Sequence, residues 1–309
     1  MRLISKLILA GCALGSFAAP AYAEVLQVFW LAPAGNGRLA ELRSVAVEPL
    51  GGNEGAAATL RIEDMLRGVS LDGSPFFRVL DASAAERAEG LLRGTATSDL
   101  RFTRFTEERE ECAKKDEADK CIEQKKVKIA CSRRYVDLAL TLRMVRIDGT
   151  LIHTDERTDT REAKSCEGDS QPPRARHEVV RDQIRVLVEA MRLDYAPRFR
   201  DEAVRVDENR KGLSKPDAAR FKDAVRLTKK DTAAACTLWR AVGAANPAHV
   251  PTLFNMALCD EHQGRREAAT AGYRAVLALA PRTYAASSGI SRIDQEARSR
   301  AQIAAHNGT

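Results

Sequence analysis

Beyond residue 23 the sequence has no apolar run approaching the roughly 20 residues that a helix needs to cross a bilayer, so no helical span is expected in the mature product. It also has no G-x-S-x-G, no G-x-x-x-x-G-K-[ST] and no H-E-x-x-H; His177-Glu178 is followed by Arg181 where a second metal-ligating histidine would stand. The short-range signatures of a hydrolase nucleophile, a phosphate loop and a zinc peptidase are therefore missing. No C-x-x-C occurs, which removes a thioredoxin-type redox centre and the tight ligand pairs of a zinc site. The five histidines, His153, His177, His249, His262 and His306, are scattered rather than clustered. The acidic run His153-Thr154-Asp155-Glu156 lies on an expected strand, whose successive side chains point to opposite faces and so do not converge on a cation. Gly35-Asn36-Gly37 reads as a turn. No catalytic residue, metal or cofactor is expected, and a non-enzymatic protein is the reading.

What is present begins with a processing signal. Arg2 and Lys6 precede an apolar run from Leu7 to Ala19 and the small-residue site Ala21-Tyr22-Ala23, so residues 1–23 read as a signal peptide. A second reading stays open: Leu9-Ala10-Gly11-Cys12 looks like a lipobox, which would lipidate Cys12 and tether the protein to the outer membrane. Loss of Arg2 and Lys6 lowers the formal net charge from +6 by two, and the remaining charges are spread along the chain. That serves solubility rather than nucleic-acid binding, which export to the periplasm disfavours in any case.

Six cysteines remain after residue 23, and an even number in an oxidising compartment reads as disulfides. Cys112, Cys121, Cys131 and Cys166 fall mid-chain, Cys236 and Cys259 near the end. Strand alternation over Val136, Leu138, Leu140, Leu142 and Met144, a hairpin turn at Asp148-Gly149 and a return strand over Leu151 to Thr160 bring Cys166 roughly opposite Cys131. The apolar parity changes between Ile129 and Val136, which predicts a bulge or break near Ser132 to Arg134. Cys112–Cys121 then closes the charged loop between a strand at Arg101 to Glu108 and one starting near Lys125.

Residues 24–207 read as a first domain, in the order βαβαβββα of an α/β sandwich. Its elements are an apolar segment Val25 to Leu31, a strand Ser44 to Leu50 ended by Gly51-Gly52, and a helix Glu54 to Arg67 capped by Asn53 with Leu60, Met65 and Leu66 as its stripe. A strand Phe76 to Leu80, a short helix Ala82 to Glu89, a strand opening at Leu91, the long hairpin, a helix Arg176 to Leu193 and a last strand Glu202 to Val206 follow. The strand with Gly51-Gly52, Phe77-Arg78-Val79-Leu80-Asp81, Leu91-Leu92-Arg93-Gly94 and the hairpin turn at Asp148-Gly149 together resemble the CsgG-like and TolB N-terminal-like group of bacterial envelope domains, over about residues 42–207. The resemblance implies a periplasmic or outer-membrane protein that assembles or regulates other envelope machinery. Charge between Glu107 and Lys126 disfavours the pore of the curli-secretion members, since a basic residue on a lipid-facing strand costs about 2–4 kcal/mol at mid-bilayer.

Residues 208–215 form a polar linker before Pro216. In residues 216–309, Ala235, Trp239, Val242 and Pro247 recur 34 positions on as Ala269, Tyr273, Val276 and Pro281. This period, with Leu253, Met256, Ala257, Gly264 and Leu277, resembles the tetratricopeptide (TPR) repeat and implies an all-α domain that binds proteins through a concave face. The first copy departs from it at Lys229-Lys230-Asp231, one residue short. A helix from Ser291 to Ala305 is expected to cap the stack, and Cys236 and Cys259, on neighbouring helices, to form a third bridge or else stay as two free buried thiols. The leading expectation is a non-enzymatic envelope assembly or interaction factor that holds a protein through the repeats. The alternatives are an outer-membrane lipoprotein tether, or a hydrolase or small-molecule binder using the sandwich cleft. Partner identity and oligomeric state are not encoded in any motif.

Overall fold

The computed structural model describes residues 24–308. The expected signal peptide and Cys12 lie outside them. The chain has a mixed α/β fold that starts with strand β1 (Val25–Ala32), one-turn helix α1 (Gly37–Ala40), strand β2 (Ser44–Val47) and helix α2 (Gly55–Gly68). A minimal hairpin of β3 (Ser70–Leu71) and β4 (Ser74–Pro75), strand β5 (Arg78–Leu80) and a 3-10 turn at Ala82–Arg87 come next. Three long strands dominate: β6 (Gly90–Lys115), β7 (Cys121–Val145) and β8 (Leu151–Cys166). Helix α3 (Arg176–Tyr195) and strand β9 (Arg198–Arg205) lead into five helices: α4 (Lys215–Leu227), α5 (Thr232–Ala245), α6 (Val250–His262), α7 (Arg266–Leu279) and α8 (Tyr284–Asn307).

Two compact units emerge, each discontinuous in sequence. The described residues up to Phe29 group with Asp201–Ser291, and Trp30–Arg200 groups with the residues from Arg292 onward. The expected boundaries, 24–207 and 216–309, are continuous ones. Strands β1 and β9 form their own two-stranded sheet, so the strand expected at Glu202 to Val206 starts earlier and does not extend the main sheet.

The main sheet has the order β5-β2-β6-β7-β8. Its β5, β2 and β6 strands run parallel, and the rest is antiparallel. All four residues of β2 are buried, as expected of a short strand flanked on both sides and covered on both faces. Helices α2 and α3 pack on one face, α2 over β2, β5 and β6 and α3 over β7 and β8, so that Ile62, Leu66, Ile184 and Val188 share one core with Leu138, Leu140, Leu142 and Met144 of β7. Leu60, expected in the apolar stripe, is instead 65% exposed; Ala58 and Ile62 take that face, one turn apart. Asn53 does not cap α2. Its amide pairs with both backbone groups of Ser98 at 2.9 Å, acting as a surrogate strand against β6, and Glu54 occupies the cap position without a side-chain capping bond, its carboxylate accepting instead from the Ser98 hydroxyl and Arg176. The approach at Gly52 needs glycine: its φ is +89°, and a Cβ would lie 2.2 Å from the carbonyl oxygen of Ala96.

The strands expected separately at Leu91 and at Arg101 to Glu108 are one strand, β6. Its register with β7 runs without a shift from Leu91↔Val145 to Cys112↔Gln124, so the break expected near Ser132 to Arg134 is absent. The parity change has another cause. Even-numbered residues of β7 face the helices, whereas Val127, Ile129 and Cys131 lie on the other face.

In the helical unit the buried Ala235, Trp239 and Val242 of α5 correspond to Ala269, Tyr273 and Val276 of α7. Phe221, Ala224 and Val225 of α4 match Phe254, Ala257 and Leu258 of α6 one residue out of that period, as the shortened turn requires. Asp231 caps α5 by accepting from the Ala234 N–H at 2.9 Å, and Gly264 makes the α6–α7 turn at φ +75°. Helix α8 begins at Tyr284, seven positions before the expected Ser291, and its residues from Arg292 belong to the sheet unit. There Gln302 brackets Ala34, bonding its N–H and its carbonyl at 2.8 and 3.1 Å.

Candidate functional site

All three expected cysteine pairs are bonded: Cys112–Cys121, Cys131–Cys166 and Cys236–Cys259. The second marks a structural boundary. Strand β8 ends at Cys166, directly opposite Cys131, and beyond that point β6 and β7 continue as a two-stranded arm over residues 107–115 and 121–129. At about 3.4 Å per residue the arm extends roughly 30 Å. Asp116 organises its tip by accepting from the backbone N–H groups of Ala118 and Lys120, and the exposed Cys112–Cys121 bridge closes it.

The arm carries a sequence-specified charge order. Glu108 faces Lys128, Glu110 faces Lys126 and Glu111 faces Lys125, so at these positions acidic residues of β6 oppose basic residues of β7, while Arg109, Lys114 and Lys115 leave the β6 side with only a small net negative charge. Neither outer edge of the arm pairs with another strand among the described residues. Exposed edges of this kind are templates for strand addition, and charge is the usual device for keeping wrong partners away.

At its root the face away from α2 and α3 is a connected polar surface. Arg101 donates to Asp137 at 2.6 and 3.0 Å and lies over the Tyr135 ring, and Thr160 donates to the same carboxylate at 2.7 Å. The Arg101 hydrogen bonds, helped by Thr160, hold Asp137 below the usual carboxylate range. The Phe105 ring is flanked by Arg133 and Lys164, and Lys164 pairs with Glu107. Glu107, Cys131 and Cys166 bring potential ligand atoms together, but the two sulfurs are bonded to each other and the carboxylate is held by Lys164, so no ligand set for a metal remains.

Of the residues quoted for the repeat, Ala235, Trp239, Val242, Ala257, Ala269, Tyr273 and Val276 are buried, Leu253 and Met256 are half-buried, and Pro247 and Pro281 lie in exposed turns. Cys236 on α5 and Cys259 on α6 tie neighbouring helices. What sequence reasoning missed is Asn255, fully buried on α6. Its side chain accepts from the N–H of Asp207 and donates to the Asp207 carbonyl, both at 2.8 Å, clamping one extended residue of its own chain. Beside it, His262 bonds the carbonyl of Gln27 at 2.5 Å, Arg266 donates to that of Phe29 at 2.8 Å, and Lys229 pairs with Glu24 at 3.0 Å. The helices thus seat residues 24–29 and 205–207 of the same chain. The available signal was a lone asparagine inside Leu253-Phe254-Asn255-Met256-Ala257-Leu258, since a buried amide requires partners.

Three of the other histidines are also used locally. His153 bonds Asn36 at 3.0 Å, His249 caps α6 towards Thr252, and His306 stacks on Phe76 with ring centres 4.1 Å apart. Asp155 is engaged by Arg157 at 2.7 Å, which in turn bonds Asp194 at 2.5 Å. Glu178 reaches back to the Ala175 N–H at the start of α3. No helix among the described residues is long and apolar enough to cross a membrane. No protein-family model matches the chain, and no curated protein matches it significantly.

Proposed function

We propose that this protein is a non-enzymatic interaction factor of the bacterial envelope, exported to the periplasm, and that its partner-binding element is the charged arm. The observation that carries the reading is the arm itself: two unpaired strand edges of opposite net charge, continuing past the end of β8 and tied by two disulfides. Three disulfides fit an oxidising compartment. Carboxylates held below their ordinary range, among them Asp137, Asp169, Asp182 and Asp217, owe it to hydrogen bonds and ion pairs that organise the surface rather than to a convergent reaction centre.

The CsgG-like/TolB N-terminal-like sandwich and the TPR-like helices serve, in this reading, as body and internal scaffold. Because Asn255, His262 and Arg266 already engage the chain's own backbone, the repeats hold residues 24–29 and 205–207 in place rather than a second protein. The arm adds a strand to a partner, with main-chain hydrogen bonds supplying affinity and the edge charges selecting orientation.

Crosslinking in the native envelope tests this with a charge-swapped variant. Exchanging Glu108, Glu110 and Glu111 for lysine together with Lys125, Lys126 and Lys128 for glutamate keeps every opposed pair but reverses the sign of each edge. The expected result is an intact arm and loss of the captured partner. Equal capture by the swapped variant, or loss of capture by Asn255→Ala with the swap harmless, refutes the assignment.

A further inference from the structure

Where the arm meets the start of α3, the sheet unit holds a second feature that the interaction role does not use. A cavity of about 210 Å³ lies on the helix-covered side of the sheet, lined by Arg134 and Val136 of β7, Arg161, Glu162 and Ala163 of β8, and Arg174 and Val179 at the α3 end. Three arginines therefore share one small cavity with three apolar side chains. The one acidic residue of the lining does not neutralise them, because Glu162 alternates to the opposite face and pairs with Arg133 at 3.3 Å.

The arginines are not equally engaged. Arg161 is paired with Asp159 at 2.7 Å and Arg174 with Asp182 at 2.8 Å, both more than half exposed. Arg134 donates to the carbonyl of Arg174, and its buried Nε meets no acceptor among the described residues. Further along α3, fully buried Gln183 donates to the carbonyls of Val136 and Asp159, and its Oε1 meets no donor. A buried guanidinium N–H without an acceptor is costly, which favours an added group that supplies one. Arginine's fork suits a planar or tetrahedral acid.

We infer that this cavity binds a small organic acid, its phosphate or carboxylate head on Arg134 with Arg161 and Arg174 around it, and its apolar body against Val136, Ala163 and Val179. The volume sets an upper size near a single ring, well below the roughly 300–1,000 Å³ of drug-sized sites. The site is independent of the charged edges of the arm.

Isothermal titration of the full disulfide-bonded protein with phenyl phosphate, benzoate and inorganic phosphate tests it. Both organic acids should bind saturably and more tightly than inorganic phosphate; the tighter of the two identifies the head group. Arg134→Met should weaken both by about tenfold or more, since a charge-assisted fork is lost, while Arg205→Met, in the other unit, changes nothing. Should Arg134→Met fail to fold, backbone amide shifts in the unmodified protein replace it, with phenyl phosphate expected to move Val136, Ala163 and Val179. Unchanged affinity in a folded Arg134→Met, inorganic phosphate binding as well as the organic acids, or shifts confined to other regions would overturn the proposal.

Discussion

Replacing Cys112 and Cys121 by serine should open the arm without unfolding the protein. A two-stranded ribbon is marginal in water on its own, and each opposed charge pair on its surface contributes about 0.2–1 kcal/mol at most. The bridge spans a sequence separation of 9, for which the chain-entropy relation gives about 2.6 kcal/mol. That stabilisation belongs to local opening of residues 107–129, because the core of the sheet unit is built from other residues, among them Val45, Ile62, Leu92, Leu140 and Val188. Hydrogen exchange followed by mass spectrometry should therefore show arm amides exchanging roughly two orders of magnitude faster in the variant. Amides of Leu91 to Ala96 and Leu138 to Met144 should keep their protection, and the main melting transition should hardly move. Unchanged arm exchange would mean that the charge pairs alone fix the ribbon; a fall in global stability of similar size would mean that the arm is not a separate opening unit.

Other perturbations have equally definite outcomes. Asn255→Ala removes two hydrogen bonds at a fully buried site and leaves both backbone groups of Asp207 unpartnered, so a loss of about 2–4 kcal/mol in denaturant unfolding is expected, with faster exchange at residues 205–208. Gly94→Val forces a Cβ to within 2.0 Å of the Thr141 carbonyl oxygen between the two longest strands. It should cost about 1–3 kcal/mol or more, whereas Thr95→Val on the exposed neighbouring position should be nearly neutral by thermal melting. Asp137, Asp169, Asp182 and Asp217 all have folded-state values below their ordinary ones, chiefly through hydrogen bonds to the carboxylate. Their contribution is thus complete above the unfolded-state value near 4 and is lost as pH falls through the lower folded values. Urea midpoints should be flat from about pH 6 to 5 and fall below about pH 4, and Asp137→Asn should shallow that fall.

Much of the sheet unit was readable because alternation and turn chemistry act locally. Asp148-Gly149 sets the hairpin, and counting back from it brings Cys131 opposite Cys166, the observed register. The same alternation misled at Ser132 to Arg134, since period two assigns residues to faces but does not say which face is covered. Val127, Ile129 and Cys131 are apolar on the side away from the helices, where Phe105 stands opposite Cys131 with Arg133 and Lys164 against its ring. Asn53 shows a competition between two local options: capping α2 or pairing with Ser98. The strand edge offers two hydrogen bonds where a cap offers one. The pairing of β1 with β9 was illegible because nothing in two short strands separated by more than 160 residues specifies that they meet. Asn255 was legible in principle, as an amide in an apolar run, but its partner is a backbone and leaves no trace in side-chain sequence.

The charge order of the arm gains its meaning from the alternatives it excludes. In the observed register three glutamates of β6 oppose three lysines of β7. Sliding the strands by two positions one way keeps only Glu108 against Lys126 among the Glu–Lys pairs and sets Arg109 against Lys125 and Glu111 against Glu123, replacing the Glu111–Lys125 attraction by two like-charge contacts. Sliding the other way retains only Glu110 against Lys128 and leaves Glu108 opposite Ala130. A ribbon with little apolar surface has weak register preference of its own, so these pairs and the terminal bridge do what a buried face does elsewhere in a sheet. The residues that fix the internal register are then the same ones that colour the two open edges, acidic on one side and basic on the other. That coupling is why a simple charge reversal on one strand cannot separate structure from recognition, whereas the paired exchange can.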